Sequence, residues 1–263
     1  MNPDDVTVAG IDVGAERRGF HAVALCKGVF KIKASTEASE IAQWCCQQEA
    51  KVVAVDAPCG WSQTGKSRLA ERDLKIGERK IQCFATPTRA TARANKKGFF
   101  NWVFNGEKLY KLFKAPYPLF EGGEPQIPAC IETFPHAIVC ALNGKVVPAK
   151  PKGSRRRKAL RESGYDDKTL SNIDFVDAAL CPLPAHAFLQ QGTQHFGQKG
   201  EGFIVVPDSG LMTEAERQER LKELSKHFGL TGEEVVRKAE AGELPHEPEF
   251  VEWLVLLNRG DLV

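Results

Sequence analysis

Five acids stand where acids are expensive. Asp12 closes the apolar run in GIDVG, Asp56 closes VVAVD just ahead of Pro58, and Glu132 lies inside CIETFP. Asp174 and Asp177 stand three apart in NIDFVDAAL, a spacing that puts both on one helical face. A carboxylate in an apolar segment is costly unless it is paired or bound to a metal. Taken singly, each has a plainer alternative: a strand-end Asp can cap a turn, and Glu132 could face solvent. Brought to one sheet end together, the acids would repel one another, and divalent cations would relieve that repulsion. His136, four residues after Glu132, is a candidate proton-transfer group, although a histidine satisfied at a helix start is the plainer reading.

A second motif competes with the acids. Residues 60–67, GWSQTGKS, fit the phosphate-loop pattern GxxxxGK[ST] between a strand and a helical pattern. Three features oppose it. Ala57, Pro58 and Cys59 separate the loop from its strand, bulky Trp61 stands where backbone amides must wrap a phosphate, and no later strand ends in a convincing partner carboxylate. Positive charge is a further signal, separate from the acids and the loop. Lys66, Arg68, Arg72, Arg79, Arg89, Arg93 and the cluster Arg155, Arg156, Arg157 and Lys158 are candidate contacts to a nucleic-acid backbone. Solvated helix faces and a flexible loop are the alternative. Phe99, Phe100 and Trp102 interleave with these cations and could stack bases, though core packing is the commoner fate of such rings.

The elements that must position these groups follow from the apolar pattern. The first 60 residues predict β-β-β-α-β: strands over 6–12, 20–26 and 29–33, the last two joined by a tight turn at Lys27-Gly28, then a helix opened by Thr36, Glu37 and Glu40, then a strand over 52–56. The continuous apolar VVAVD suits a sheet covered on both faces. SRLAERDLKIGERK predicts a helix, TPTRATARANKK an irregular loop, and FFNWVFNGEKLYKLF a helix with an aromatic face. Residues 129–134 predict a fifth strand. A helical stretch over about 167–191 should kink or end at Pro182, and GFIVVP (202–207) reads as an edge strand. Three short helices close the chain, with Thr213 and Thr231 at N-caps and Gly after each helix.

With 263 residues, 42% hydrophobic and 27% charged, the chain can bury a large core without a disulfide or metal staple, and it is too apolar for disorder. No apolar run of about 18 residues exists, and the start, with Asp4 and Asp5, lacks a signal-peptide layout, so a cytoplasmic protein without a membrane partner is expected. Eight cysteines occur without a CxxC or zinc-type spacing, which predicts reduced core thiols, with Cys59 the candidate reactive one. The net charge of +2 is a cancellation. Residues 64–114 hold 13 Lys/Arg against 4 Asp/Glu, whereas 207–263 hold 7 against 13.

The strand order, with one Asp on the first strand and another on the fourth, resembles the ribonuclease-H-like superfamily. GIDVGAERRGFHAVAL, VVAVDAP, ETFPHA and DFVDAAL followed by EGFIVVP resemble, more closely, domain-of-unknown-function family 429, described as predicted ribonuclease-H-like nucleases. GKSRLAERDLKIGERKIQCFATPTR resembles a further stretch of that family and gives another account of the apparent phosphate loop. The resemblance implies an α/β fold with a ribonuclease H-like mixed sheet: the first three strands antiparallel, the fourth and fifth parallel to the first. It covers about residues 6–207, so a main domain over 1–207, with a basic helical insertion over about 64–126, and an acidic helical appendage over 208–263 are expected. It implies a divalent-metal-dependent nuclease with two Mg²⁺ or Mn²⁺ ions on the catalytic acids Asp12, Asp56, Glu132 and Asp177, Asp174 as an additional or water-mediated ligand, and Asp12 as the bridge. Nucleic acid is the implied partner. The alternatives are a phosphate-loop nucleotide-binding phosphotransferase, an actin/sugar-kinase-like one, for which the chain is short, and a non-catalytic nucleic-acid-binding module.

Overall fold

The computed structural model describes residues 5–208, 214–245, 247–257, 259 and 262. The chain opens with β1 (Val8–Val13), β2 (Phe20–Cys26), β3 (Val29–Ser35), α1 (Ala38–Gln47) and β4 (Val52–Asp56). Next come α2 (Leu69–Asp73), β5 (Lys75–Ile76), β6 (Arg79–Lys80), α3 (Arg89–Ala94) and α4 (Asn101–Phe113). The second half holds β7 (Ala129–Glu132), α5 (Pro135–Leu142), α6 (Lys152–Glu162), α7 (Ile173–Leu180), α8 (Pro182–Leu189), β8 (Thr193–Gln198) and β9 (Gly202–Pro207). Three helices follow: α9 (Glu214–Phe228), α10 (Gly232–Glu240) and α11 (Pro248–Leu256).

Seven strands form one sheet in the order β3-β2-β1-β4-β7-β9-β8. β1, β2 and β3 pair antiparallel, while β4 runs parallel to β1, β7 to β4 and β9 to β7. This is the ribonuclease H-like mixed sheet, with helices on both faces. Alternate side chains of β1 and β4 divide between those faces, as the strand period of two requires. Ile11, Val13, Val53 and Val55 pack with Ile41, Leu109 and Phe113 on one side. Val8, Val52 and Ala54 pack with Ala185 and Phe188 on the other. Gly10 lies on this second face, where a Cβ would overlap the Ala178 carbonyl oxygen, Cys181 Cβ and Pro182 Cδ. The strand backbone therefore packs directly against the α7–α8 junction, with no side chain of its own in between.

Several expectations are corrected. SRLAERDLKIGERK is helical only over α2 and then turns into the β5-β6 hairpin, because Gly77 adopts φ 55° in its two-residue turn. TPTRATARANKK is not wholly irregular: Thr88 caps α3 by accepting from the Thr91 amide. Glu37, not Thr36, is the α1 N-cap residue. GFIVVP is an interior strand, since β8, absent from the sequence reading, covers it and forms the edge. Pro182 divides the long helical stretch into α7 and α8 as expected. The tail helices share a core of Leu224, Val235, Phe250, Trp253 and Leu254, and Thr231 caps α10 in a capping box with Glu234. Thr213 and Gly260 lie outside the described residues. Among those residues no helix is long and apolar enough to cross a membrane.

Candidate metal centre

Register places the first three groups. Asp12 is the direct partner of His21 across the antiparallel β1-β2 ladder and of Asp56 across the parallel β1-β4 ladder. In-register partners share a sheet face, so His21, Asp12 and Asp56 form a row across three strands. α7 packs on that face and supplies Asp174 and Asp177 from successive turns. Its N-terminus is fixed by Asn172, whose side chain accepts from the Phe175 amide.

The result is two groups sharing one residue. Asp12, Asp56 and Asp177 each offer a carboxylate oxygen, all within 4.8 Å of one another, and Asp12, His21 and Asp174 do the same. Either group could hold a metal ion. Burial, then the Asp174 carboxylate, pushes the Asp12 carboxyl up to about 7 against the opposing pull of Lys152, Arg156 and Arg18. Burial and then Asp12 hold Asp56 well above the usual carboxylate range. Both shifts express the same physics: carboxylates crowded out of water resist joint ionisation until a cation joins them. Burial lowers His21, keeping it a neutral potential ligand, and its Nδ1 is buried without a hydrogen-bond partner. The His21 ring stands edge-on to Phe175, with ring centres 4.7 Å apart.

Two basic side chains from α6 reach the same place. Lys152 Nζ lies 2.7 Å from Asp177 Oδ2, and Arg156 forms an ion pair with Asp177 Oδ1. Arg18 lies 3.5 Å from Asp174. The donor set fits hard divalent cations, with three carboxylates in one group and two plus an imidazole in the other.

A model of the family described as "Protein of unknown function (DUF429)" matches residues 10–201. The chain belongs to that family. No curated protein and no solved structure matches it. The matched span of this DUF429 chain contains Asp12, His21, Asp56, Asp174 and Asp177 and ends before β9.

Glu132, expected among the metal ligands, is placed elsewhere. It pairs in register with Val55, one residue short of Asp56, and so projects from the opposite face. There Arg68 grips it with two hydrogen bonds of 2.7 and 2.5 Å, and the Cys59 amide donates a third of 2.7 Å. His136 is half-buried in the first turn of α5, outside both groups, with its Nε2 3.8 Å from Cys140 Sγ. His21 was missed by the sequence reading. The signal was present: in a β1-β2 hairpin, the residue facing the strand-end Asp12 is a histidine.

The loop at 60–67 is not a phosphate cradle. It leads into α2, a helix of five residues, and several of its amides are already taken within the chain, Ser62 by the Pro87 carbonyl and Gly65 by the Ser62 hydroxyl. Glu201 accepts from the Gln63 and Leu69 amides at 2.7 and 2.9 Å. The expected basic surface also divides. Arg68 is buried, Arg89 pairs with Glu107, Arg156 with Asp177, and Arg157 with Asp167, whereas Arg155 hydrogen-bonds to the Lys150 carbonyl. Lys66, Arg72, Arg79 and Arg93 are exposed. All eight cysteines are free. Burial and then Glu132 push the Cys59 thiol well above its usual value, which opposes a reactive thiolate there.

Proposed function

We propose that this DUF429 chain is a divalent-metal-dependent nuclease that hydrolyses phosphodiester bonds. The observation that carries the reading is the sharing of Asp12 by two ligand groups on one sheet face. Two Mg²⁺ or Mn²⁺ ions held there would activate a water and stabilise the charge on the transferred phosphoryl group and leaving oxygen. Asp12 would be common to both ions, with Asp56 and Asp177 holding one and His21 and Asp174 the other. The all-carboxylate group suits either ion, and the imidazole in the second group favours Mn²⁺ over Mg²⁺ there.

The chain's own cations complete the assignment. Arg156, mostly buried, orients Asp177. Lys152, whose side chain is 49% exposed, carries a positive charge at the edge of the acids where a substrate phosphate would arrive. Exposed Lys66, Arg72, Arg79 and Arg93 support a nucleic-acid substrate. The deciding assay follows cleavage of single- and double-stranded DNA and RNA with Mg²⁺ or Mn²⁺. Activity should appear only with metal and vanish in Asp12→Asn; no metal-dependent cleavage, or equal cleavage by the variant, overturns the reading.

One observation favours a second reading. Asp177 already has Lys152 and Arg156 as counter-ions, the state a non-catalytic nucleic-acid-binding module would need. Nucleic-acid binding with neither cleavage nor Mn²⁺ binding would select that reading instead.

A further inference from the structure

One cleft reaches from Asp56, at the edge of the acids, to aromatic residues of the basic segment. Its lining runs from Asp56 past the Arg68–Glu132 pair to Phe84, Trp102 and Phe134. Around Phe84, Trp102 stands edge-on at 4.9 Å, Phe100 edge-on at 5.8 Å and Phe99 tilted at 5.7 Å, centre to centre. This cluster is not sealed as a core: Phe84, Phe100 and Trp102 are half-buried, and Phe99 is 61% exposed. Arg93, Lys96 and Lys97, just ahead of Phe99, are also exposed.

The polar groups of the cleft are occupied with one another. Glu132 takes hydrogen bonds from Arg68 and the Cys59 amide, and Glu71 takes them from Arg68 and the Thr86 amide. The cleft thus presents flat apolar faces to a ligand. Groups suited to a phosphate lie on both sides of those faces, the acids of the candidate metal centre beyond Asp56 and the exposed Arg93, Lys96 and Lys97 beside Phe99. A nucleobase on a phosphate backbone has the matching layout.

We infer that this cleft is a nucleobase subsite, seating an unpaired base against Phe84 and Trp102, with Phe99 extending the stacking surface outward. The position of the neighbouring phosphate rests on the nuclease reading above. A base within a duplex is stacked on both faces and paired at its edge, so the strand must be single here, which makes single-stranded nucleic acid the substrate class.

The test is equilibrium binding of the full chain, with Ca²⁺ present, to a labelled DNA single strand, to an abasic strand of equal length and to a matched duplex. The base-bearing strand should bind about tenfold tighter than either of the others. Phe99→Ala and Trp102→Leu should each cut that preference severalfold and leave abasic binding unchanged; Phe99, being exposed, carries the test if the Trp102 variant fails to fold. Equal binding of the two single strands, no binding of either, or equal loss on both in Phe99→Ala overturns the subsite. The two readings fail separately. Metal-dependent cleavage at equal rates on base-bearing and abasic strands would remove the subsite and keep the nuclease, whereas a base preference without metal-dependent cleavage would do the reverse.

Discussion

Asp12 and His21 face each other directly across the β1-β2 ladder, and each has a potential ligand atom within 4.8 Å of an Asp174 oxygen. This pairing gives the acidic centre a nitrogen donor and makes Asp12 common to two ligand groups.

Replacing Asp12 by Asn should therefore impair both groups. Mn²⁺ should raise the melting temperature of the wild type and leave that of Asp12→Asn nearly unchanged in a thermal-shift titration. Equal metal-induced stabilisation of the two proteins would remove Asp12 from the centre.

His21→Ala should weaken Mn²⁺ binding by about tenfold while sparing the Asp12, Asp56 and Asp177 group. Calorimetric titration would register one binding event weakened and the other unchanged. Two unchanged events would reduce His21 to a packing partner of Phe175.

Without metal, Asp12 should make stability fall with rising pH. Its folded-state value of about 7 exceeds its unfolded value of about 3.9, so the folded state holds the proton more tightly. Stability should decline from about pH 4 to about pH 7 and then level off. Urea melts in EDTA should show a shallower decline for Asp12→Asn, and parallel curves would contradict the shift.

Lys152→Met should tighten Mn²⁺ binding at least about threefold, since it removes a positive charge 2.7 Å from Asp177. If Lys152 meets the substrate phosphate, cleavage at saturating metal should fall at the same time. Weaker metal binding would instead make Lys152 a support for the site's geometry.

Arg68→Ala should destabilise the fold by about 3–5 kcal/mol, because it strands the buried Glu132 carboxylate. The double variant Arg68→Met with Glu132→Gln should recover much of that loss in urea denaturation. No recovery would show that the pair is not the main cost.

The order and direction of the early strands were legible because long apolar runs and the Lys27-Gly28 turn are local signals. Asp12, Asp56 and Asp177 were legible for a related reason: each interrupts an apolar segment. Glu132 looked equivalent by that criterion. Its departure comes from a one-residue difference in register between β4 and β7, which sends it to the other face, and no composition rule carries that offset. β8 was missed because TQHFGQ has no strong alternation and becomes a strand by pairing with β9. The phosphate-loop pattern was opposed by its own sequence context, and the pairing of the Gln63 amide with Glu201 adds a long-range reason that spacing alone does not encode. His21 needed the hairpin register, which was available once β1 and β2 were aligned.

The backbone contact at Gly10 bears on how the centre keeps its dimensions. Gly10 lies two residues before Asp12, and Ala178, whose carbonyl it approaches, directly follows Asp177. Gly10 puts no side chain of its own between the strand and the helices, so the gap between the two carboxylates is gauged by strand backbone set against the Ala178 carbonyl, Cys181 Cβ and Pro182 Cδ. Changes of side-chain volume elsewhere in the core can accumulate without retuning it. A single methyl at residue 10 would act as a shim, prising one half of the ligand set from the other.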